Sequence, residues 1–269
     1  FRRVLFRSIR NTQMEKTMQI IFVHHSCFLV EVDDKVLIFD YFDGDKVDGW
    51  HFTGRLPHYK PDTQIYMFAS HSHKDHFDLD ILRWTEEYPE IKYIFSNQIR
   101  ISPNFLKRHG IQPQVREKVQ FVSADNNYKV DDIDITTLRS TDAGVAFYIN
   151  TNGVSIFHAG DLNDWEWEGA GDLINGRMRR SFRHEIKKIS DKPLNIAFFP
   201  LDPRLGEHGF DGIDFFVKNT NAEYVFPMHM WQDYSKIKDF KRRLTNRQAA
   251  ERVIEIEREN QSFAFEENY

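Results

Sequence analysis

His71-Ser72-His73-Lys74-Asp75-His76 sets three histidines and an aspartate within six residues. It follows an apolar run, Ile65-Tyr66-Met67-Phe68-Ala69-Ser70, that is short, β-branched and aromatic and reads as a buried strand. The histidines therefore stand where a strand gives way to a loop, and there side chains can converge on a point instead of sharing one face. Imidazole is the commonest metal ligand, and carboxylate joins it in zinc, iron or manganese sites. A metal site is the simplest explanation; the bland one is a polar loop rich in histidine.

Two later stretches repeat this placement. Val154-Ser155-Ile156-Phe157 runs into His158-Ala159-Gly160-Asp161, and Tyr224-Val225-Phe226 runs into Pro227-Met228-His229. In order, spacing and strand-end position the three stretches resemble the signature of the metallo-β-lactamase superfamily, over roughly Met18 to Met230. The branch that includes ascorbate-6-phosphate lactonase is the most similar. The resemblance implies an α/β fold, a four-layer αββα sandwich of two mixed, largely antiparallel sheets flanked by helices. It also implies one or two divalent metal ions per chain, zinc first, with manganese or iron accepted by the same ligands. His71 and His73 would hold one ion. Asp75, His76 and His229 would hold the other, and Asp161 would bridge.

One position departs from that pattern. Relatives with two metals carry a histidine at the end of the strand before the Asn152-Gly153 turn, and here that strand ends Leu138-Arg139-Ser140-Thr141-Asp142. Three explanations compete: His158 swings in as the replacement, Asp142 supplies an oxygen, or the first site is weak or vacant. We favour His158 as ligand or support, against a buried structural histidine. On a strand, His158 and Gly160 share a face, so His158 and Asp161 both point inward only if the chain turns at Gly160, a turn that glycine makes easily.

Upstream, Met18 to Phe42 reads as a three-strand meander with turns at His24-His25-Ser26 and Asp33-Asp34-Lys35. By resemblance His25 and Asp40 belong to the pocket rim or lie behind the ligands, with His24 where the family has glycine. Gly44 to Thr63 has no periodicity and either walls the pocket or forms a surface insertion. Downstream, Leu79 to Glu87 has helical spacing. Asn97 to His109 reads as a helix that Pro103 interrupts. Lys118–Val122 and Tyr128–Leu138 alternate like antiparallel strands. Asn152-Gly153 is the strongest hairpin signal in the chain. Trp165 and Trp167 follow Asp161 closely and read as pocket wall or lid, as does Trp231 after His229. Arg204 can clamp a carboxylate or phosphate with its planar fork, and Asp202 can orient it or a ligand. Phe240 to Glu257 reads as a closing helix, and Ser262 to Glu266 as an edge strand or tail.

Composition sets the outer bounds. The 269 residues are 41% hydrophobic with 24 Phe, ample for a core, and the net charge of −5 offers a polyanion no attraction. The single cysteine, Cys27, excludes an internal disulfide and suits a reducing cytoplasm. No apolar run approaches a membrane span. Phe1-Arg2-Arg3-Val4-Leu5-Phe6-Arg7-Ser8 is basic and amphipathic. It also matches the translation of a common sequencing adapter, so residues 1–13 read as a non-native leader and 14–269 as a single hydrolase domain.

The function these observations imply is a metal-dependent hydrolase acting on a small anionic ester, lactone or phosphodiester. Metal-bound hydroxide would attack, because a divalent ion lowers the pKa of its water to about 7. Asp75 would fix the nucleophile, and His25 or His158 would protonate the leaving group. The alternatives are a nuclease of the same superfamily, against which the acidic charge stands, and a catalytically degenerate metal- or ligand-binding member.

Overall fold

Apolar residues along the N-terminal strands are buried on both faces, so each strand must lie between two layers. The computed structural model, which describes residues 17–266, shows this arrangement; the expected leader lies outside the described residues. The first sheet takes β1 (Thr17–His24), β2 (Cys27–Val32), β3 (Lys35–Phe39), β4 (Gln64–Ala69), β5 (Lys92–Ser96) and β6 (Val119–Val122). The second takes β7 (Asn127–Val130), β8 (Ile133–Arg139), β9 (Val145–Thr151), β10 (Val154–His158), β11 (Ile196–Pro200) and β12 (Tyr224–Met228). The closing strand β13 (Gln261–Glu266) returns to the first sheet and pairs antiparallel with β1.

Ile20, Phe22, Phe28, Val30, Leu37, Phe39 and Phe68 face the second sheet and build the central core with Phe147, Ile149, Ile156 and Phe198. Their strand neighbours Ile21, Val23, Leu29, Ile38, Ile65 and Met67 face outward. They pack under Ile81 and Leu82 of a 3-10 helix (Leu79–Glu86) and Leu106 of α1 (Pro103–Arg108). On the far side of the second sheet lie α2 (Asp172–Lys187) and α3 (Asp211–Asn219), through Phe182, Ile186, Ile213 and Phe216. These are the four expected layers, with sheets more evenly mixed than expected: β3 to β6 and β10 to β12 pair in parallel.

Several local expectations change. Pro103 opens α1 instead of breaking a helix: its missing N–H costs nothing in the first turn, and the Ser102 hydroxyl caps Phe105 N. Strand β6 joins β5 in parallel and does not pair with β7, and Tyr128–Leu138 divides into β7 and β8 around Asp131. The closing helix is two, α4 (Ser235–Arg243) and α5 (Arg247–Arg252), because Asn246 caps a new start. No helix of the described residues is long and apolar enough to cross a membrane.

Candidate metal centre

Strands β1, β3 and β4 of the first sheet run in one direction, as do β8, β10, β11 and β12 of the second. The residues singled out from sequence follow their C-terminal ends: His25, Asp40, the 71–76 motif, Asp142, Asp161, Asp202 and His229. An edge where many strands end together is where α/β sheets place ligands. His25, Asp40 and His229 adopt left-handed backbone (φ 48°, 45° and 63°), which turns each chain sharply as it leaves its strand.

Side-chain donors gather in contiguous groups. His25, Asp75, His76 and His229 form one, His71, His76 and Asp161 a second, and His73, Asp142 and Asp161 a third; within each, the ligand atoms lie within 4.8 Å of one another. Asp161 faces both ways. Its Oδ1 is 3.1 Å from His76 Nε2 and 3.6 Å from His229 Nε2, while its Oδ2 is 3.3 Å from His71 Nε2. His71 Nε2 and His73 Nδ1 are 2.9 Å apart, and Asp142 Oδ2 stands 4.0 Å from His73 Nδ1.

The outer nitrogens are held. His76 Nδ1 donates to Asp40 Oδ2 at 2.7 Å, and His229 Nδ1 to Asp202 Oδ2 at 2.9 Å. His71 Nδ1 meets Ser70 Oγ at 2.9 Å, and Ser70 in turn donates its hydroxyl and backbone N–H to Asp40 at 2.6 and 2.7 Å. An imidazole that donates from Nδ1 presents an unprotonated Nε2 inward, the tautomer a metal needs. Ser70 was not singled out from sequence; its signal was a small polar residue between the strand and His71.

Charge sharpens the picture. Burial pulls the His76 pKa down, but Asp161 and Asp75 outweigh it and raise it well above the ordinary value. His229 rises to about 9 in the same way, with burial opposed by Asp161, Asp202 and Asp75. Asp75 and Asp161 are held well below the usual carboxylate range, against burial, by His76 and the neighbouring imidazoles. Asp40 is lowered too, its burial outweighed by His158, His76 and His71. Among the described residues, His76 Nε2, His229 Nε2 and Asp161 Oδ1 are buried without a hydrogen-bond partner of normal geometry. Buried polar atoms left like this are costly, and a divalent cation satisfies all three at once. The donors fit the implied metal.

His158 stands outside the donor groups, which corrects the expectation of a ligand. Gly160 does turn the chain (φ 51°), but Asp161 alone swings to the centre. His158 is buried, donates from Nε2 to Ser26 O at 3.0 Å, accepts Gly160 N–H on Nδ1 at 3.2 Å and stacks on Phe39 at 5.0 Å. Both ring nitrogens are committed, so it is neither a donor to the cluster nor a proton source for a leaving group. His25 takes the place behind the ligands and not the one at the pocket rim, the two expected of it. It is buried behind Asp75, with Nε2 3.3 Å from Asp75 Oδ2, and burial together with His229 presses it down to about 3. Neither histidine touches the cavity.

That cavity, about 410 Å³, opens over the donors. Asp75, Asp142, Asp161, His73 and His229 form its polar lining; Trp165, Trp167 and Trp231 its aromatic walls; Val47 and Met178, which were not anticipated, complete it. Of the segment from Gly44 to Thr63, Val47 reaches this cavity, while Phe52 is buried against Phe42 and Trp231 and residues 55–59 line a separate one. Asp40 and Asp202 lie fully buried beneath the cavity. Arg204 lines the cavity, but its Nε and one terminal nitrogen already bond Asp202, the latter at 2.6 Å.

Known structures share this architecture. Igni18, a metallo hydrolase from Ignicoccus hospitalis, superposes with a TM-score of 0.59 at 19% identity over 94% of this chain and 100% of that one. An isothiocyanate hydrolase from Delia radicum gut bacteria gives 0.57 at 14%, over 93% and 100%. CmlA, a diiron β-hydroxylase from Streptomyces venezuelae, gives 0.52 at 12%, over 81% and 45%. At such identities the likeness is one of fold. No curated protein matches this chain. The Beta-lactamase superfamily domain matches residues 19–166, more than half of the chain and the stretch that carries the histidine motif, Asp142 and Asp161. With its fold and its strand-end donors, the chain belongs to that superfamily.

Proposed function

We propose that the protein is a dinuclear metal-dependent hydrolase of a small ester, lactone or phosphodiester. The observation that carries this reading is the split of Asp161: one oxygen faces His76 and His229, the other His71. Asp75, His76 and His229 would hold one ion, with His25 supporting Asp75 from behind. His71 and His73 would hold the other, and Asp142, whose Oδ2 reaches toward His73, takes the place of the missing histidine. Bound there, divalent metal supplies Lewis acidity and lowers the pKa of a coordinated water toward neutrality. An oxygen donor in the first site keeps manganese and iron in play beside zinc.

The side chains do the rest. Asp75 lines the cavity, is ionised, and accepts a hydrogen bond from the attacking water, fixing its direction. Asp40 and Asp202 hold the histidine tautomers. Arg204 is the one Lys or Arg side chain of the cavity lining among the described residues, and Asp202 already takes part of its fork. A buried lone cysteine suits a cytoplasmic enzyme.

Elemental mass spectrometry of metal per chain tests this reading, run on wild type, Asp142→Ala and His158→Ala. Two ions in the wild type, falling toward one in Asp142→Ala alone, are expected. Loss in His158→Ala with Asp142→Ala unchanged would reverse the assignment. No metal after reconstitution with zinc, manganese or iron would leave only a binding protein on this fold.

A further inference from the structure

We infer that the cavity over the metal centre selects a substrate whose non-reacting part is a flat aromatic ring system and not a saturated one. This rests on the hydrolase reading for the reacting group, but the geometry of the walls is independent of it.

Two indoles, from distant segments, meet His229, and a third lies beside one of them. Trp165 and Trp231 stand edge-on to the His229 ring at 5.6 and 5.5 Å, so the floor of the cavity is an imidazole flanked by two aromatic walls. Trp165 is pinned by its N–H to Asp161 O at 2.7 Å, and Trp167 lies parallel to it at 6.3 Å. Trp231 is fixed from behind by Phe52, Phe42 and Trp50. It and Gln232 hold left-handed backbone (φ 49° and 61°), a conformation that costs about 1–3 kcal/mol per residue and persists where the surroundings enforce it. The Gln232 amide bonded to His51 O and to Glu259 supplies that enforcement.

Arg204 lies among the same aromatic walls. Its guanidinium lies 4.4 Å over Trp231 and 5.8 Å from Trp167, while Asp202 balances its charge. Asp75, Asp142, Asp161, His73 and His229, the donors of the metal centre, form the polar part of the lining. A planar ring held there meets indole from Trp165 and Trp167 on one segment and from Trp231 on another. Trp167, which lines the cavity, stays 42% exposed, apolar area that a bound ring would cover. Rigid aromatic walls bind flat groups by stacking with little entropy to lose.

Calorimetric titration of the zinc-loaded and metal-free protein tests this with two probes: 2-naphthol and its saturated counterpart decahydro-2-naphthol. The expected result is saturable 2-naphthol binding about tenfold tighter than that of the decahydro compound. Trp167→Ala, whose half-exposed ring carries little of the core, and Trp231→Leu should each weaken it about tenfold. Trp84→Ala, on the outer face beside Tyr41, should not. Absence of 2-naphthol binding, equal binding of the decahydro compound, or indifference to both cavity variants would overturn the inference. Because binding is read without turnover, a protein that binds 2-naphthol but retains no metal refutes the hydrolase reading and leaves this one standing.

Discussion

Asp40→Asn isolates the part of the metal centre that never touches the cavity. Asp40 is fully buried, and its Oδ1 accepts Ser70 N–H while its Oδ2 accepts both the Ser70 hydroxyl and His76 Nδ1. Asparagine has the same shape but only one acceptor oxygen. If its NH2 replaces Oδ2, a donor faces a donor, and His76 must move its proton to Nε2, the atom aimed at Asp161 Oδ1. If the NH2 replaces Oδ1, the buried Ser70 N–H loses its acceptor. Removing a partner that orients a metal-binding histidine costs about 10–100-fold in affinity, or about 1.4–2.7 kcal/mol. Ser70 relays Asp40 to His71, so both proposed ions should weaken. Ser70→Ala should weaken only the ion at His71, about fivefold, the net worth of one hydrogen bond. Competition against a chromophoric zinc chelator, with metal counted per chain, reads both variants. Wild-type content and affinities within about twofold in Asp40→Asn would refute the claim that outer-nitrogen partners set the ligand tautomers.

Two further predictions concern stability. Gly160→Ala should destabilise by about 2–5 kcal/mol in denaturant unfolding, because φ is 51° and a Cβ would lie 2.7 Å from Ser70 Cβ. Gly153→Ala, at φ 84° with open space around it, should cost only about 1 kcal/mol, and equal losses would contradict the packing argument. Burial presses His24 down to about 4 from 6.5. The unfolded chain therefore takes the proton first, and stability falls as pH drops through 6.5, the loss being complete below about 4. The full term is about 3 kcal/mol. His24→Leu should lose about that much less than wild type between about pH 7 and 4; parallel pH curves would show that His24 is not buried neutral.

The sequence by itself determined what is local. A buried strand ending in His-x-His-x-Asp-His, two later strands ending in Asp161 and His229, and the Asn152-Gly153 hairpin all follow from residue type and period, because a strand's faces and a tight turn's dihedrals are decided within a few residues. That placed His71, His73, Asp75, His76, Asp161 and His229 beside one another in the structure. Whether His158 or Asp142 stands nearest the first cluster was beyond its reach. Both follow strand ends, and the choice depends on how the turn at Gly160 meets Ser70 and on the Ser26 carbonyl, far away in the chain, which takes up the His158 N–H. The same holds for β6, whose alternation is compatible with either sheet until β5 offers it a parallel edge. It holds most of all for the cavity, where Val47, Trp165, Met178, Arg204 and Trp231 become neighbours only because strands running in one direction end at one edge. Side-chain convergence across such separations is a property of sheet order and strand direction, and these were decided by the packing of the two sheets against each other.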